Sequence, residues 1–152
     1  MEPTDLLEAD AAGSVRWVSA RVARGYRTVI AARSHDIVVD EPRDLGGTDE
    51  GMTPYELLLG SLSSCMALTM RMYADRKAWP LDGASIHLRT APAREPDREV
   101  LAAGARRVTR IERRIELHGA LSEEQRARLI EIADRCPIKR NIEAGLQVIA
   151  AA

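Results

Sequence analysis

The segment that most constrains this chain begins at Thr53-Pro54-Tyr55-Glu56 and continues through Leu57, Leu58, Leu59, Leu62, Met66, Ala67, Leu68, Met70 and Met72. A threonine ahead of a proline, with a glutamate three residues on, is a helix start. Proline's fixed φ suits the first helical position, and the threonine and glutamate side chains can each occupy a backbone amide the helix leaves unpaired. Apolar residues then fill most of the circumference, so a helix from Pro54 to about Lys77 must be covered on nearly every side. Leu58, Ser61, Leu62, Cys65, Leu68, Thr69 and Met72 share one face at helical spacing. A bilayer is not the covering: the apolar stretch is short, is interrupted by Gly60, Ser61, Ser63 and Ser64, and runs straight into Arg71. The rest of the chain must supply it.

Short β-branched segments at residues 15–18, 27–31 and 36–39, punctuated by Gly25 and by Arg33-Ser34-His35, predict a three-strand meander ahead of the helix. Residues 41–51 carry three glycines, a proline and several acids, the composition of a long loop. Beyond the helix, residues 85–89 and 108–118 alternate polar and apolar side chains and predict strands with one wet face, joined through a loop or hairpin connection over 91–105. Ser122 and Gln125 open a second helix that ends near Cys136. Pro137 starts a fresh helical turn capped by Cys136 and stopped at Gly145, and residues 146–149 close the chain as a strand. These elements amount to one α+β domain over the 152 residues. Phenylalanine is absent and aromatics are 3 %, so its core is aliphatic and deformable.

The formal net charge of −1 provides no overall field for nucleic acid or an anionic membrane. Arg106, Arg107, Arg110, Arg113 and Arg114 form a local basic patch, but Glu112 and Glu116 interleave and no aromatic platform accompanies it. The acidic N-terminus, Met1-Glu2-Pro3-Thr4-Asp5, lacks the basic-then-apolar order of a secretory leader, which predicts residence in the cytoplasm, where structural disulfides are rare.

In that setting the two cysteines are either small buried hydrophobes or working thiols. As a helix cap, Cys136 would face free amides and the positive end of the helix, with Lys139 and Arg140 near, which favours thiolate. Cys65 lies mid-helix, where the amides are already paired, so its activating cation must come from another segment. Arg24 and Arg27 are candidates; the alternative for them is a solvated strand face. A metal centre of Cys65, Cys136 and His35, His87 or His118 is a further reading, though no pair has close ligand spacing.

Taken together, Pro42-Arg43-Asp44-Leu45-Gly46-Gly47, Thr53-Pro54-Tyr55-Glu56-Leu57-Leu58, Leu62-Ser63-Ser64-Cys65 and Cys136-Pro137-Ile138 resemble the OsmC and organic hydroperoxide resistance proteins, thiol peroxidases of the bacterial cytoplasm. Cys65-Met66-Ala67-Leu68 onward and Lys77-Ala78-Trp79-Pro80-Leu81 look most like the OsmC-like branch. The resemblance implies an intertwined homodimer with antiparallel sheets and a long buried central helix. It implies that Cys65 attacks an organic hydroperoxide and that Cys136 resolves the product as a disulfide. Arg24 or Arg27 would hold the thiolate, and Leu62, Met66, Met70 and Trp79 are candidates for the lining of an apolar pocket, the alternative for them being plain core. No metal or organic cofactor is expected, only an external thiol reductant such as a lipoyl or other dithiol protein. In the peroxidase branch a glutamate directly follows the helix-starting proline and pairs with the arginine; here Tyr55 stands there and Glu56 comes one residue later, turned by roughly 100°. That departure leaves a second reading, an OsmC-like small-molecule binding or redox-sensing protein without efficient turnover.

Overall fold

A computed structural model describes residues 18–92 and 109–150. The chain forms two compact units, one up to Leu57 and one from Leu58. In the first, strands β1 (Ser19–Val22), β2 (Thr28–Ala32) and β3 (His35–Val39) make an antiparallel sheet in sequence order. Ser19 pairs with Ala31 and Ala32 with His35. The meander is present, with its first strand displaced: Val18 precedes β1, and residues 15–17 lie outside the described residues.

The loop after β3 is organised by one carboxylate. Asp40 is almost fully buried and accepts hydrogen bonds from the Thr48 hydroxyl (2.6 Å) and from the backbone N–H groups of Thr48 (2.9 Å), Glu41 (2.9 Å) and Glu50 (3.3 Å). The Thr48 hydroxyl contributes most to holding its pKa near about 2, and the three amides add to this against the opposing effect of burial. Donors converging on one anion turn a glycine-rich stretch into a fixed shape. At Gly47 a Cβ would lie 1.8 Å from the Glu41 carbonyl oxygen, so only glycine fits.

Helix α1 (Pro54–Arg76) begins as its sequence dictates. Thr53 N–H donates to Glu56 Oε2 (2.7 Å) and Glu56 N–H donates to Thr53 Oγ1 (3.2 Å), a complete capping box. Three of its hydroxyls are satisfied inside the helix: Ser63 donates to the Gly60 carbonyl, Ser64 to that of Ser61 and Thr69 to that of Cys65.

In the second unit, β4 (Gly83–Pro92) and β5 (Thr109–His118) form an antiparallel pair, with Ile86 opposite Ile115 and Leu88 opposite Arg113. The rest of the predicted 91–105 loop, from residue 93 on, lies outside the described residues. Helix α2 (Glu123–Ala133) carries its own capping box, Ser122 with Gln125, and α3 (Pro137–Ala144) starts on Cys136. The core gathers Leu62, Met66, Met70 and Ala74 from α1, Leu129 and Ala133 from α2, and Leu81, Leu121 and Cys136. Ala84, Ile86, Leu88, Ile111, Ile115 and Leu117 pack on it from the hairpin, which accounts for the alternation in both strands.

Two expectations need correction. The described residues of one chain do not cover helix α1 all round. Leu62, Met66, Met70 and Ala74 form a single buried row at four-residue spacing, whereas Leu58, Leu68 (61 % exposed) and Met72 (65 % exposed) face outward, so the face read as common to Leu58, Leu62 and Met72 divides. The closing segment 146–149 is not a strand: no partner strand pairs it among the described residues, and Val148 is 97 % exposed. None of the helices is long and apolar enough to cross a membrane among the described residues.

Candidate functional site

Cys136 sits in the joint between α2 and α3. Its N–H donates to the Ala133 carbonyl (3.2 Å) and its carbonyl accepts from Arg140 N–H (3.1 Å), so the residue ends one helix and begins the next. Pro137 at the first position of α3 lacks the amide that would otherwise go unpaired there. The side chain points into the core and has no exposed surface. Burial pushes the thiol pKa up, and a hydrogen bond that the neutral thiol donates to the Cys65 side chain pushes it further; the amides of Lys139 and Ile138 pull the other way and lose. The expected thiolate at this cap is thus overturned: the sulfur is buried deeply enough that desolvation exceeds the helix-end field.

Cys65 is half-buried on α1 and packs against the same core cluster. The fold therefore brings together two thiols far apart in sequence, neither in a disulfide. In the same unit a cavity of about 410 Å³ is walled by Leu62, Met66, Leu88, Ile111 and Ile142 and rimmed by Arg113, Asp134, Lys139 and Glu143. Leu62 is one helical turn before Cys65 and Met66 is its neighbour. Met70 and Trp79, expected in the same pocket, are elsewhere. Met70 is fully buried in the core, and Trp79 stands edge-on to Tyr73 (5.5 Å, 73°) in a separate cleft with Lys77 and Arg128.

The rim is a chain of ion pairs. Arg113 grips Asp134 with two parallel bonds (2.6 and 2.9 Å), Lys139 reaches Asp134 at 3.4 Å, and Lys139 pairs with Glu143 at 2.6 Å. Arg113 holds the Asp134 carboxyl below the usual carboxylate range, and Glu143, then Asp134, raise the Lys139 pKa. The basic patch read around Arg113 dissolves accordingly: Arg113 is turned to Asp134, Arg114 pairs with Glu116 (3.0 Å), Arg110 also has a partner, and Arg106 and Arg107 lie outside the described residues. Sequence reading missed Arg113 and Asp134. The available signals were that Arg113 shares the inward parity of Ile111, Ile115 and Leu117, and that Asp134 is two residues from Cys136.

Arg24, Arg27, Tyr55 and Glu56 belong to the first unit. Arg24 is exposed in the turn between β1 and β2, and Arg27 pairs with Glu50 through Nε at 2.8 Å. Glu56 is held in its capping box, which keeps its carboxyl below the ordinary range through the Thr53 amide and hydroxyl, and Tyr55 is 65 % exposed. His35 lies on β3, His87 on β4 and His118 at the end of β5; among the described residues no group of three or more His, Cys, Asp or Glu could hold a metal ion.

Solved structures with this fold include a protein from Psychrobacter arcticus (22 % identity, TM-score 0.65, covering 81 % of this chain and 85 % of that one). An OsmC-like protein from Mycoplasma pneumoniae matches at 19 % identity with TM-score 0.69, covering 86 % and 89 %. An organic hydroperoxide resistance protein OsmC from Legionella pneumophila matches at 16 % identity with TM-score 0.58, covering 85 % and 89 %. No curated protein sequence matches. The family described as OsmC-like protein matches residues 47–150, a span that holds the Glu56 cap, both thiols and the whole cavity rim, and this chain belongs to that family.

Proposed function

We propose that the protein is a thiol-dependent peroxidase for organic hydroperoxides, acting in oxidative-stress defence. The observation that supports it best is that Cys65 lies near Cys136 and that Leu62 and Met66, its neighbours on α1, wall an apolar cavity. The Cys65 thiolate attacks the peroxide O–O bond; the alcohol leaves with a proton and Cys65 becomes a sulfenic acid. Cys136 then attacks that sulfur, its proton joins the departing hydroxide as water, and a disulfide forms. An external dithiol, on a lipoyl or other dithiol protein, returns both thiols, and no metal or organic cofactor takes part. Leu62 and Met66 receive the alkyl group. The similar proteins from Legionella pneumophila and Bacillus subtilis carry the name organic hydroperoxide resistance protein, which agrees with this substrate class.

The working form in this proposal is a cytoplasmic homodimer, with a second copy covering Leu58, Leu68 and Met72 of α1. Light scattering on the purified protein tests the dimer. Arg24→Ala and Arg27→Ala, compared for their effect on the Cys65 pKa, test which arginine supports the thiolate.

The deciding experiment is stopped-flow oxidation of the reduced protein by cumene hydroperoxide and by hydrogen peroxide, alongside Cys65→Ser and Cys136→Ser. The proposal expects fast, Cys65-dependent oxidation favouring the organic peroxide. Rates no better than a free thiol for both oxidants would overturn it. One observation favours a second reading, a binding or redox-sensing protein. Glu56 is engaged in its helix cap and Tyr55 fills the position where the peroxidase branch has its acid. That reading expects oxidation by one equivalent of peroxide without sustained turnover when a dithiol is supplied.

A further inference from the structure

Arg113 is out of place. It occupies an inward position on β5, between Ile111 and Ile115 and opposite Leu88, where the alternation of the strand calls for an apolar side chain. A guanidinium in such a slot needs a planar, doubly accepting partner, and Asp134 is that partner, with bonds of 2.6 and 2.9 Å spanning 21 residues of sequence. Asp134 caps the C-terminus of α2, two residues before Cys136, and Lys139 in the first turn of α3, three after it, bonds the same carboxylate. Glu143 holds Lys139 from one turn further along α3. The residues flanking Cys136 on both sides are therefore tied to one carboxylate, and that carboxylate is tied to the sheet.

We infer that Arg113, Asp134 and Lys139 are positioning residues for Cys136, fixing the α2–α3 joint so that its sulfur stays against Cys65. This rests on the proposed disulfide between the two. Without the clamp the joint would keep its helices, since α2 has its own cap at Ser122 and α3 its own proline, but it would lose its fixed distance from β5. The property at stake is the effective concentration of one thiol toward the other, which sets how readily the disulfide forms.

The test is the reduction potential of the full-length protein, equilibrated in dithiothreitol redox buffers, for wild type, Asp134→Asn, Arg113→Met and Arg113→Lys. Losing the clamp is expected to lower the effective concentration about tenfold, which moves the potential by about 30 mV toward easier reduction. Arg113→Lys, which keeps the charge and loses the paired geometry, should fall between. Asp134→Asn combined with Arg113→Met should be no worse than Asp134→Asn alone, because losing the carboxylate already removes the Arg113 pair together with the Lys139 pair. Ser122→Ala, which weakens the far end of α2, serves as the control for plain destabilisation and should leave the potential where it is. If the wild type forms a disulfide and the clamp variants share its potential, or if Ser122→Ala shifts it equally, the inference is overturned while the peroxidase reading stands. If the wild type forms no Cys65–Cys136 disulfide at any potential, both fall together.

Discussion

Oxidation should make this protein harder to unfold, by an amount that can be worked out beforehand. A Cys65–Cys136 bond closes a loop of roughly seventy residues, and the chain-entropy account gives about 4 kcal/mol of stabilisation for a loop of that length. Native-state strain subtracts from this. Cys136 is fixed between α2 and α3, and Cys65 is near enough to act on its thiol, so the bond would join neighbouring side chains. A net gain of about 2–4 kcal/mol follows, and with a urea dependence of about 2 kcal/mol/M for a domain of this size the midpoint should rise by about 1–2 M. The assay is urea unfolding followed by far-UV circular dichroism, on protein held in dithiothreitol and on protein treated with one equivalent of cumene hydroperoxide. Cys136→Ser treated in the same way should show no gain. The reasoning is refuted if mass spectrometry finds the bond in the wild type and the midpoint is unchanged or lower. Bond formation would then require the native packing to give way, and the thiols would not be apposed in the fold.

Three further outcomes follow from the packing. Leu129→Ala, at a fully buried position on α2, should cost about 3 kcal/mol in the same urea assay, and a loss below about 1 kcal/mol would mean that the core around α2 collapses into the space. Gly47→Ala should disrupt the loop after β3, since the added carbon meets backbone, whereas Gly60→Ala meets nothing within 4 Å and should stabilise α1 by about 0.5–1 kcal/mol; equal thermal midpoints for the two would contradict this. Asp40 has a folded pKa of about 2 against an ordinary 3.8, so its contribution is complete above that ordinary value and is lost as pH falls toward 2. Asp40→Asn should flatten the loss of stability between pH 4 and about 2, and an unchanged acid slope would show that other carboxylates carry it.

What could be read along the chain is what neighbouring residues decide among themselves. Thr53 with Glu56 and Ser122 with Gln125 announce their helices because each box closes within four residues, and Pro137 marks the start of α3 for the same reason. The alternation of β4 and β5 was equally plain, because one face of the hairpin meets a core and the other meets water. The sign of the Cys136 pKa shift could not be read, since the opposing terms are a local helix end and a burial created by α1, α2 and the hairpin together. The Arg113–Asp134 pair was hidden by its separation in sequence and by neighbouring arginines that made Arg113 look like part of a charged surface. Residues 146–149 carry the right apolar content for a strand, but strand formation needs a second edge, and none of the described residues provides one. For Cys65 and Cys136 the family motifs indicated a pair, while only the folded chain brought the two thiols near enough to act on each other.

The burial of Cys136 has a consequence for the order in which its chemistry can happen. A thiol with no accessible surface and a raised pKa is nearly inert toward reagents in solution, so iodoacetamide or a passing oxidant meets Cys65 first. In the proposed cycle Cys136 enters only once Cys65 has become electrophilic, and the fold already holds it near. Excess oxidant can push Cys65 on to the irreversible sulfinic and sulfonic acids only by outpacing a partner that needs no diffusion to arrive. In that cycle the packing that silences one sulfur would shield the other from permanent damage.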